Sequence, residues 1–416
     1  MKLKLVVVSM SVLGLISSPA FANHHRHHHH AEVVAAAPEA RADYKAMGAL
    51  CTVNPSNVVL NDLNQNAGRA MHDPCRPDWF NRIGIAGGVN LDMGKWGNRN
   101  AGYTGENYKR VSLNDAYLNV SADITDWAKA FASISYNTTT FSYSAATLFP
   151  ANRLNLEQGF VTIANFDQSP FYARLGKGFQ HFSSYQIHPI TRSLTESLSE
   201  TLATAVEVGF VTQIGFNGSL SVFDTPINRV GSTTTATDYV ASLGFAQPND
   251  QLGWDLGVAY QYNMIGVNDI ARAAGATFVS RAAGVAVYAD VNSGPFNLGA
   301  RYTTAVQRFS PLDLLSAPAS GKGAKPWAAG VQAGYGFTGW DKNQNLYVGY
   351  QTSRQASAVN LPRQRWLLGY NIDWMSNVNF GGEWDHDMAY NAANNAGTAT
   401  TKTGNLVSLR AAVKFG

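Results

Sequence analysis

The chain of 416 residues carries only 14% charged residues and a formal net charge of +3 at neutral pH. Soluble proteins carry about 25% charged residues, and nucleic-acid-binding domains concentrate positive charge. The composition therefore argues against a soluble protein and against a nucleic-acid partner. The 38 glycines, 18 tyrosines, 20 phenylalanines and 9 tryptophans are typical of a membrane β-barrel.

Residues 1–22 have the three parts of a secretory signal peptide. Lys2 and Lys4 supply the positive charge, residues 5–16 form a short apolar segment, and Ala20-Phe21-Ala22 supplies a small-residue cleavage site. The apolar segment is shorter than the roughly 18 residues that a membrane-spanning helix needs. We therefore predict that residues 1–22 are removed and that the mature chain is exported.

Residues 23–80 lack the periodicity of helices or strands, and we predict a loosely ordered periplasmic extension. Cys51 and Cys75 are the two cysteines of the chain, and in an oxidising compartment such a pair forms a disulfide, with two free thiols as the alternative. A histidine cluster near the start either chelates Zn, Cu or Ni or is a disordered tract under weak selection. The cluster comprises His24, His25, His27, His28, His29 and His30.

From residue 81 to residue 416, apolar and polar residues alternate with period two over segments of roughly ten residues. The last segment shows this most clearly: its apolar face carries Val407, Leu409, Ala411, Val413 and Phe415, and its other face carries Ser408, Arg410, Ala412 and Lys414. Charges on one face suit a water-filled lumen, and the apolar face suits lipid. We predict an all-β fold, a transmembrane antiparallel β-barrel.

We count sixteen such segments, separated by connections that alternate between long and short. The predicted strands start near residues 82, 110, 127, 154, 170, 203, 216, 238, 252, 280, 295, 326, 344, 363, 377 and 404. The long connections are predicted at 94–108, 138–151, 178–202, 224–236, 264–278, 309–324, 353–361 and 387–403. Bacterial barrels have even strand counts, short periplasmic turns and long external loops, so we expect both barrel ends in the periplasm of an outer-membrane protein.

Pairs of aromatic residues provide a second test of the barrel. Trp254 and Tyr262, Trp327 and Tyr335, and Trp366 and Trp374 are each separated by eight positions on the predicted lipid face. Eight residues span roughly 26 Å along a strand, which a tilt of about 40° reduces to roughly 20 Å of height. This is close to the apolar band of about 25 Å between the two aromatic girdles of such barrels. The alternative is that these aromatic residues fill a soluble β-sandwich.

The connection 178–202 is the longest, and long ordered loops are usually functional. Ser193-x-x-Glu196 and Ser197-x-x-Glu200 have the spacing of helix capping boxes. We predict that this loop folds into the lumen and narrows it; the alternative is an external loop packed on its neighbours.

The same loop carries a family resemblance. Gly176-Lys177, Phe182-x-x-Tyr185, His188-Pro189-Ile190-Thr191, Ser193-Leu194-Thr195 and Leu198-Ser199-Glu200-Thr201 resemble the signature of the LbtU-type siderophore porins. Segments 112–118 and 165–174 are similar to that family as well. The resemblance implies a sixteen-stranded barrel that imports a ferric siderophore without a plug domain. The protein would then need no cofactor, because ferric iron is only its siderophore-bound cargo.

Polycarboxylate siderophores are anionic, and arginine holds carboxylates through two parallel hydrogen bonds. The residues predicted to line the constriction or contact the solute are Phe182, Tyr185, His188, Arg192, Thr195 and Glu200 of the loop, and Arg174, Arg301 and Arg410 of the wall. Inward carboxylates, which we predict at Glu207, Asp255, Asp290 and Glu383, temper the positive charge. Arg192 has an alternative role, pairing with Glu196 or Glu200 on the short helix.

Two other functions stay open: a general diffusion porin, and a structural or adhesive surface barrel. In either case outer-membrane lipid and lipopolysaccharide are the expected surroundings. We do not expect an enzyme, because the sequence contains no Gly-x-Ser-x-Gly, His-Glu-x-x-His or Cys-x-x-Cys motif. His386, between Asp385 and Asp387, is the residue that comes nearest to an acid–base pair.

Overall fold

A computed structural model describes most of the predicted barrel. The described residues are 82–97, 108–137, 154–166, 168–184, 189–212, 214–247, 252–317, 320–396 and 403–415. The predictions for residues 1–80, including the histidine cluster and the cysteine pair, lie outside the described residues, as do Tyr185 and His188. Within the described ranges, no helix is both long enough and apolar enough to cross a membrane.

In the described part of the chain, sixteen antiparallel strands form one closed sheet, because the last strand pairs with the first. They are β1 (Ile83–Gly97), β2 (Tyr108–Asp123), β3 (Ala128–Asn137), β4 (Leu154–Ala164), β5 (Phe171–Phe179), β6 (Leu202–Val211), β7 (Phe216–Arg229), β8 (Thr235–Gln247), β9 (Gly253–Gln261), β10 (Gly284–Ser293), β11 (Phe296–Ala305), β12 (Trp327–Gly339), β13 (Lys342–Arg354), β14 (Gln364–Met375), β15 (Val378–Met388) and β16 (Thr403–Phe415). Closure leaves no unpaired sheet edge, which is what a lipid environment requires. The predicted fold class is confirmed.

Connections at one rim are short. The turn between β12 and β13 has two residues, Trp340 and Asp341, with φ of 54° and 55°. Positive φ at both central residues matches the twist of a two-residue hairpin. At the opposite rim the connections are long, and they contain the short helices α1 (Leu194–Ser197) and α2 (Asn268–Ala274) and the 3₁₀ turns Met264–Gly266, Ser357–Val359 and Ala392–Asn394.

The long connection predicted at 224–236 is wrong. Strand β7 continues to Arg229 and β8 begins at Thr235, so that only residues 230–234 connect them. Inward and outward residues keep alternating into this polar segment, with Phe223 buried and Asp224 exposed. Polar strand ends that extend beyond the apolar band have the composition of a loop, and this explains the error.

The outer face of the barrel is apolar. Trp254, Trp366 and Trp374 of the predicted aromatic pairs have 41%, 46% and 48% of their surface exposed, and the Trp366 ring lies 4.6 Å from the ring of Tyr350 on the neighbouring strand. In β16, Val407, Leu409, Val413 and Phe415 are exposed as well. The described wall therefore presents the lipid-facing surface that the period-two pattern predicts.

The inner face is mostly polar, but at the long-loop rim it supports an apolar core. This core, here called the apolar cap, draws on four long connections and includes Phe182, Leu198, Met264, Ile270, Phe309, Leu314, Val359 and Leu361. It packs on small inward residues near the strand ends, namely Ala205, Ala259, Ala286, Ala305 and Ala328. These alanines belong to strands between β6 and β12, so the apolar cap covers one side of the mouth.

Candidate functional site

Residues 180–201 connect β5 to β6 and are here called the inner loop; they are described except for 185–188. The carboxylate of Glu383 accepts hydrogen bonds from the backbone N–H groups of Ile190 and Thr191 at 2.8 and 2.9 Å, and from the Thr191 hydroxyl. The side chain of Gln351 accepts the N–H of Leu194 at 2.8 Å. Because Glu383 and Gln351 point inward from the wall, the inner loop lies inside the barrel.

Helix α1 of the inner loop starts as the sequence predicts. The Ser193 side chain accepts the backbone N–H of Glu196 at 3.0 Å, which satisfies one of the free donors at the start of a helix. The second predicted box does not form a cap, because Ser197 lies within the helix and its hydroxyl donates to the carbonyl of Ser193. Both serines thus hold the loop rather than a solute.

Three carboxylates surround the guanidinium of Arg192. It lies 3.0 Å from Glu196, 3.0 Å from Glu200 and 2.7 Å from Asp269 of α2. The Arg192 carbonyl accepts a further hydrogen bond of 3.0 Å from Arg365. The structure therefore places Arg192 in the pairing arrangement, where it ties the inner loop to the connection between β9 and β10.

This cluster holds a proton at neutral pH. Burial raises the pKa of Glu196 to about 8, with Arg192 opposing the shift and Glu200 adding to it. Burial alone would lower the pKa of Arg192, but Asp269 and then Glu200 and Glu196 raise it above its ordinary value. Arg192 therefore stays charged, and protonation of Glu196 reduces the surplus of negative charge around it.

A second cluster lies where the inner loop leaves β5. Arg174 pairs with Glu207 at 2.6 Å, and Tyr172 donates to the same carboxylate at 2.8 Å. His181 lies 3.4 Å from Glu207 and 3.3 Å from the Ser219 hydroxyl. Burial lowers the pKa of His181 to about 4, an effect that Glu207 opposes and Arg174 assists, so His181 is neutral at physiological pH. His181 is not among the site residues predicted from the sequence.

The other predicted wall arginines also face inward and are paired. Arg301 lies 2.7 Å from Asp290 and 3.4 Å from the Ser184 hydroxyl of the inner loop. Arg410 makes two hydrogen bonds of 2.8 Å with Asp92. The predicted wall arginines of the described barrel thus lie in ion pairs with inward carboxylates.

One buried ion pair, between Arg365 and Asp387, was not predicted from the sequence. Arg365 of β14 donates to both oxygens of Asp387 on β15, at 2.7 and 3.0 Å, and its surface is 0% exposed. The two residues are direct cross-strand partners. A buried pair with this bidentate geometry fixes the wall against the inner loop, because the same guanidinium bonds the Arg192 carbonyl.

The strands opposite the apolar cap carry polar side chains that have no hydrogen-bond partner among the described residues. We call the set Asn90, Asn119, Ser133 and Gln158 the polar wall; each is at most 2% exposed. Asn119 lies opposite Ser133 in the sheet, and Ser133 lies opposite Gln158. Buried amides and hydroxyls that the protein does not satisfy usually bond to water or to a polar ligand.

The remaining predicted residues hold the loop or point elsewhere. Phe182 lies in the apolar cap, Thr195 contacts the Ser193 hydroxyl at 3.2 Å, and Glu200 accepts a hydrogen bond of 3.1 Å from Asn268. His386 faces outward, stacked on Trp384, whereas its acidic neighbours in sequence face the lumen. Among the described residues, no cluster of His, Cys, Asp and Glu is arranged to hold a metal ion.

No protein-family profile matches the chain. A UPF0422 protein of Coxiella burnetii (strain RSA 493 / Nine Mile phase I) is 24% identical over 308 residues, which are 72% of this chain and 64% of that protein. A UPF0422 protein of Legionella pneumophila (strain Paris) is 27% identical over 303 residues, which are 67% of this chain and 54% of that protein. The chain thus spans between 54% and 64% of the length of these relatives.

Solved structures with the same architecture are porins and outer-membrane channels. OprB of Pseudomonas putida has a TM-score of 0.55 at 12% identity and covers 80% of this chain and 94% of its own. The anion-selective porin from Comamonas acidovorans has a TM-score of 0.51 at 12% identity, with coverages of 80% and 99%. At this level of identity the likeness establishes the fold, the closed porin-type barrel.

Proposed function

We propose that the protein is a channel of the bacterial outer membrane, with its long connections outside and both ends of its barrel in the periplasm. The closed wall with an apolar outer face supports membrane insertion. The separation of short turns at one rim from long connections at the other supports this orientation, because bacterial barrels keep their short turns in the periplasm.

The observation that carries this proposal is the inner loop bound within the lumen opposite a polar wall. A barrel of sixteen strands is wide enough to hold water unless its interior is filled. Here the apolar cap takes up the side formed by β6 to β12, and the inner loop crosses the lumen to its anchors on β13, β14 and β15. The inward side chains of β1 to β4, opposite the apolar cap, are mostly polar, so we place the solute path on this side of the lumen.

For the solute we propose a ferric siderophore, with the iron entering as cargo. The support is the resemblance of the inner loop to the LbtU-type siderophore porins. Residues of that motif, including Thr191, Ser193 and Leu194, make the hydrogen bonds that hold the inner loop in place. The motif residues therefore hold in place the loop that narrows the lumen.

Uptake of labelled siderophore tests this solute assignment. A strain that lacks the gene should lose uptake of a ⁵⁵Fe-loaded polycarboxylate siderophore during iron-limited growth, and the full-length gene should restore it. Uptake of ⁵⁵Fe through an unrelated receptor serves as the control for general damage to the envelope. Equal uptake with and without the gene would exclude a ferric siderophore as the solute. It would not contradict the proposed channel function.

A general diffusion channel is the second candidate, and the pairing of the wall arginines favours it. Arg174, Arg301 and Arg410 are each neutralised by a carboxylate, so these three arginines do not give the lumen a strong attraction for anions. Liposome swelling separates the two functions. A diffusion channel admits small neutral sugars in order of size, whereas a siderophore channel shows sugar entry that a ferric siderophore blocks.

A further inference from the structure

A groove on the lipid-facing side of the barrel, at the long-loop rim, has the features of a lipid phosphate site. Four outward residues form its floor and are consecutive cross-strand neighbours on β10 to β13, namely Val285, Thr304, Trp327 and Arg354. The groove encloses about 590 Å³. Its aromatic part is formed by Tyr302 and Trp327, whose rings lie 6.0 Å apart.

Three cations line this groove. Arg308 and Lys325 come from the connection between β11 and β12, and Arg354 ends β13; all three side chains are exposed. Among the described residues none of them forms an ion pair with a carboxylate. The acidic residue of this connection, Asp313, is buried and accepts the backbone N–H groups of Val279 and Ser280. The groove therefore has uncompensated positive charge.

The side chain of Gln355 organises this charge. Its carbonyl oxygen accepts Arg308 Nη1 at 3.1 Å and the backbone N–H of Lys325 at 2.8 Å. Gln355 adopts a left-handed backbone conformation with φ of 53°, which a residue other than glycine rarely takes. The same hydrogen bonds bring Arg308 and Lys325 to the side of Arg354, so the cations form one cluster rather than a scatter of surface charges.

The height of the groove identifies its occupant. Trp327 belongs to the aromatic pair with Tyr335, eight residues further along β12, and it lies at the long-loop end of that pair. Aromatic girdles mark the level of the lipid headgroups. Arg354 lies level with Trp327, its cross-strand partner, and Arg308 and Lys325 lie beyond it. Below Trp327 the exposed side chains of Val331 and Leu298 continue the apolar surface. A ligand that fits has phosphate groups at the headgroup level and acyl chains along the strands.

We propose that this groove, here called the basic groove, binds the phosphorylated glucosamine headgroup of lipopolysaccharide, with Arg308, Lys325 and Arg354 contacting its phosphates. The outer leaflet supplies this lipid in quantity, and clustered Lys and Arg side chains at a membrane surface recognise anionic headgroups. The inference rests on the orientation given under the proposed function. It does not depend on which solute crosses the lumen.

A titration of the full-length protein in detergent with bisphosphorylated lipid A, followed by native mass spectrometry, tests the assignment. The triple variant Arg308→Gln, Lys325→Gln, Arg354→Gln should bind lipid A about tenfold more weakly or worse. The matched triple variant Arg82→Gln, Arg229→Gln, Lys342→Gln removes three positive charges elsewhere and should bind like the wild type. Monophosphorylated lipid A should bind the wild type less tightly than the bisphosphorylated form.

Several results would overturn the assignment. Equal binding by the wild type and the groove variant would do so, and so would an equal loss in the matched variant. Competition by millimolar inorganic phosphate would instead indicate a free-anion site. Both variants must keep a heat-modifiable gel band, which shows that the barrel is folded.

The channel proposal and the lipopolysaccharide proposal both place the long connections of the barrel outside the cell, and this orientation has its own test. A membrane-impermeant amine reagent should label Lys322 in intact cells, because this exposed lysine belongs to the same connection but does not line the groove. Labelling only after the outer membrane is permeabilised would overturn the orientation together with the lipopolysaccharide site. Binding of lipid A in detergent does not depend on orientation, so the two failures can be distinguished.

Discussion

The carboxylate of Glu383 on β15 accepts the backbone N–H of Thr191 at 2.9 Å, which joins the wall to the inner loop across 192 positions of the chain. The same carboxylate accepts the N–H of Ile190 and the hydroxyl of Tyr347, each at 2.8 Å. A carboxylate that accepts several hydrogen bonds holds its donors more strongly than a neutral acceptor does. Glu383 is therefore the principal anchor of the inner loop.

Replacing Glu383 with glutamine should loosen the inner loop without unfolding the barrel. Glutamine removes the negative charge and turns an NH₂ group toward donors, so we expect the anchoring to weaken by about 1.5–3 kcal/mol. Hydrogen exchange of residues 189–200 should become faster, while the strands exchange as before. Asp373→Asn, which changes an exposed carboxylate at the opposite rim, is the control. Unchanged exchange in Glu383→Gln would show that other contacts hold the loop.

Arg192 is expected to act as an anchor rather than as a contact for the solute. Arg192→Gln leaves Glu196, Glu200 and Asp269 without their buried cation, which typically costs about 3–5 kcal/mol. The loop should be released, and single-channel conductance should rise. Reversal potentials in a salt gradient separate the two roles of Arg192. If the ion selectivity shifts toward cations while the conductance stays unchanged, Arg192 is in direct contact with a permeating anion.

The pKa of Glu196 predicts how the inner loop responds to pH. Its pKa in the folded loop is raised to about 8 from 4.5, so the folded loop binds a proton that the released loop does not. This contribution to stability is complete below pH 4.5 and is lost as the pH rises through about 8. Exchange of residues 189–200 should therefore speed up between about pH 5 and pH 8 beyond the intrinsic rate, and the extra increase should level off above pH 8. Glu196→Gln should abolish the extra increase, and an identical pH profile in that variant would contradict the assignment.

The disulfide between Cys51 and Cys75 stays a prediction, since both residues lie outside the described part of the chain. Such a bridge would stabilise the N-terminal extension by about 3 kcal/mol in the chain-entropy model. Protein recovered from the envelope should resist alkylation at both cysteines until it is reduced. Quantitative labelling without reductant would refute the bridge.

The strands could be predicted because each side chain of a strand faces either the lipid or the lumen. Lipid outside and polar groups inside impose a period of two, and fifteen of the sixteen predicted starts lie within three residues of the strands in the structure. The tenth strand was placed near residue 280 and begins at Gly284. The residues before it, Thr277–Phe278, also form a strand, but one that pairs in parallel with the end of β7 and lies outside the wall.

Pairing between distant residues could not be predicted in the same way. Arg365 and Asp387 lie on either side of the short turn at Ser376–Asn377, but an irregularity between Asp373 and Met375 shifts the register of this hairpin by one residue. A shift of one position changes which residues are opposite each other. The partner of Arg192 on α2, Asp269, is 77 positions away and belongs to a different loop, so no local pattern indicates it.

Single-channel conductance of a variant that lacks residues 183–199 tests the central claim, a lumen narrowed by the inner loop. The deletion removes α1, Arg192 and the inner-loop donors to Glu383, and leaves β5 and β6 intact. A heat-modifiable gel band must first show that the variant barrel is assembled. We predict a higher conductance than that of the wild type in the same lipid and salt. An assembled variant with the conductance of the wild type would contradict the account, because the inner loop would then lie outside the conducting path.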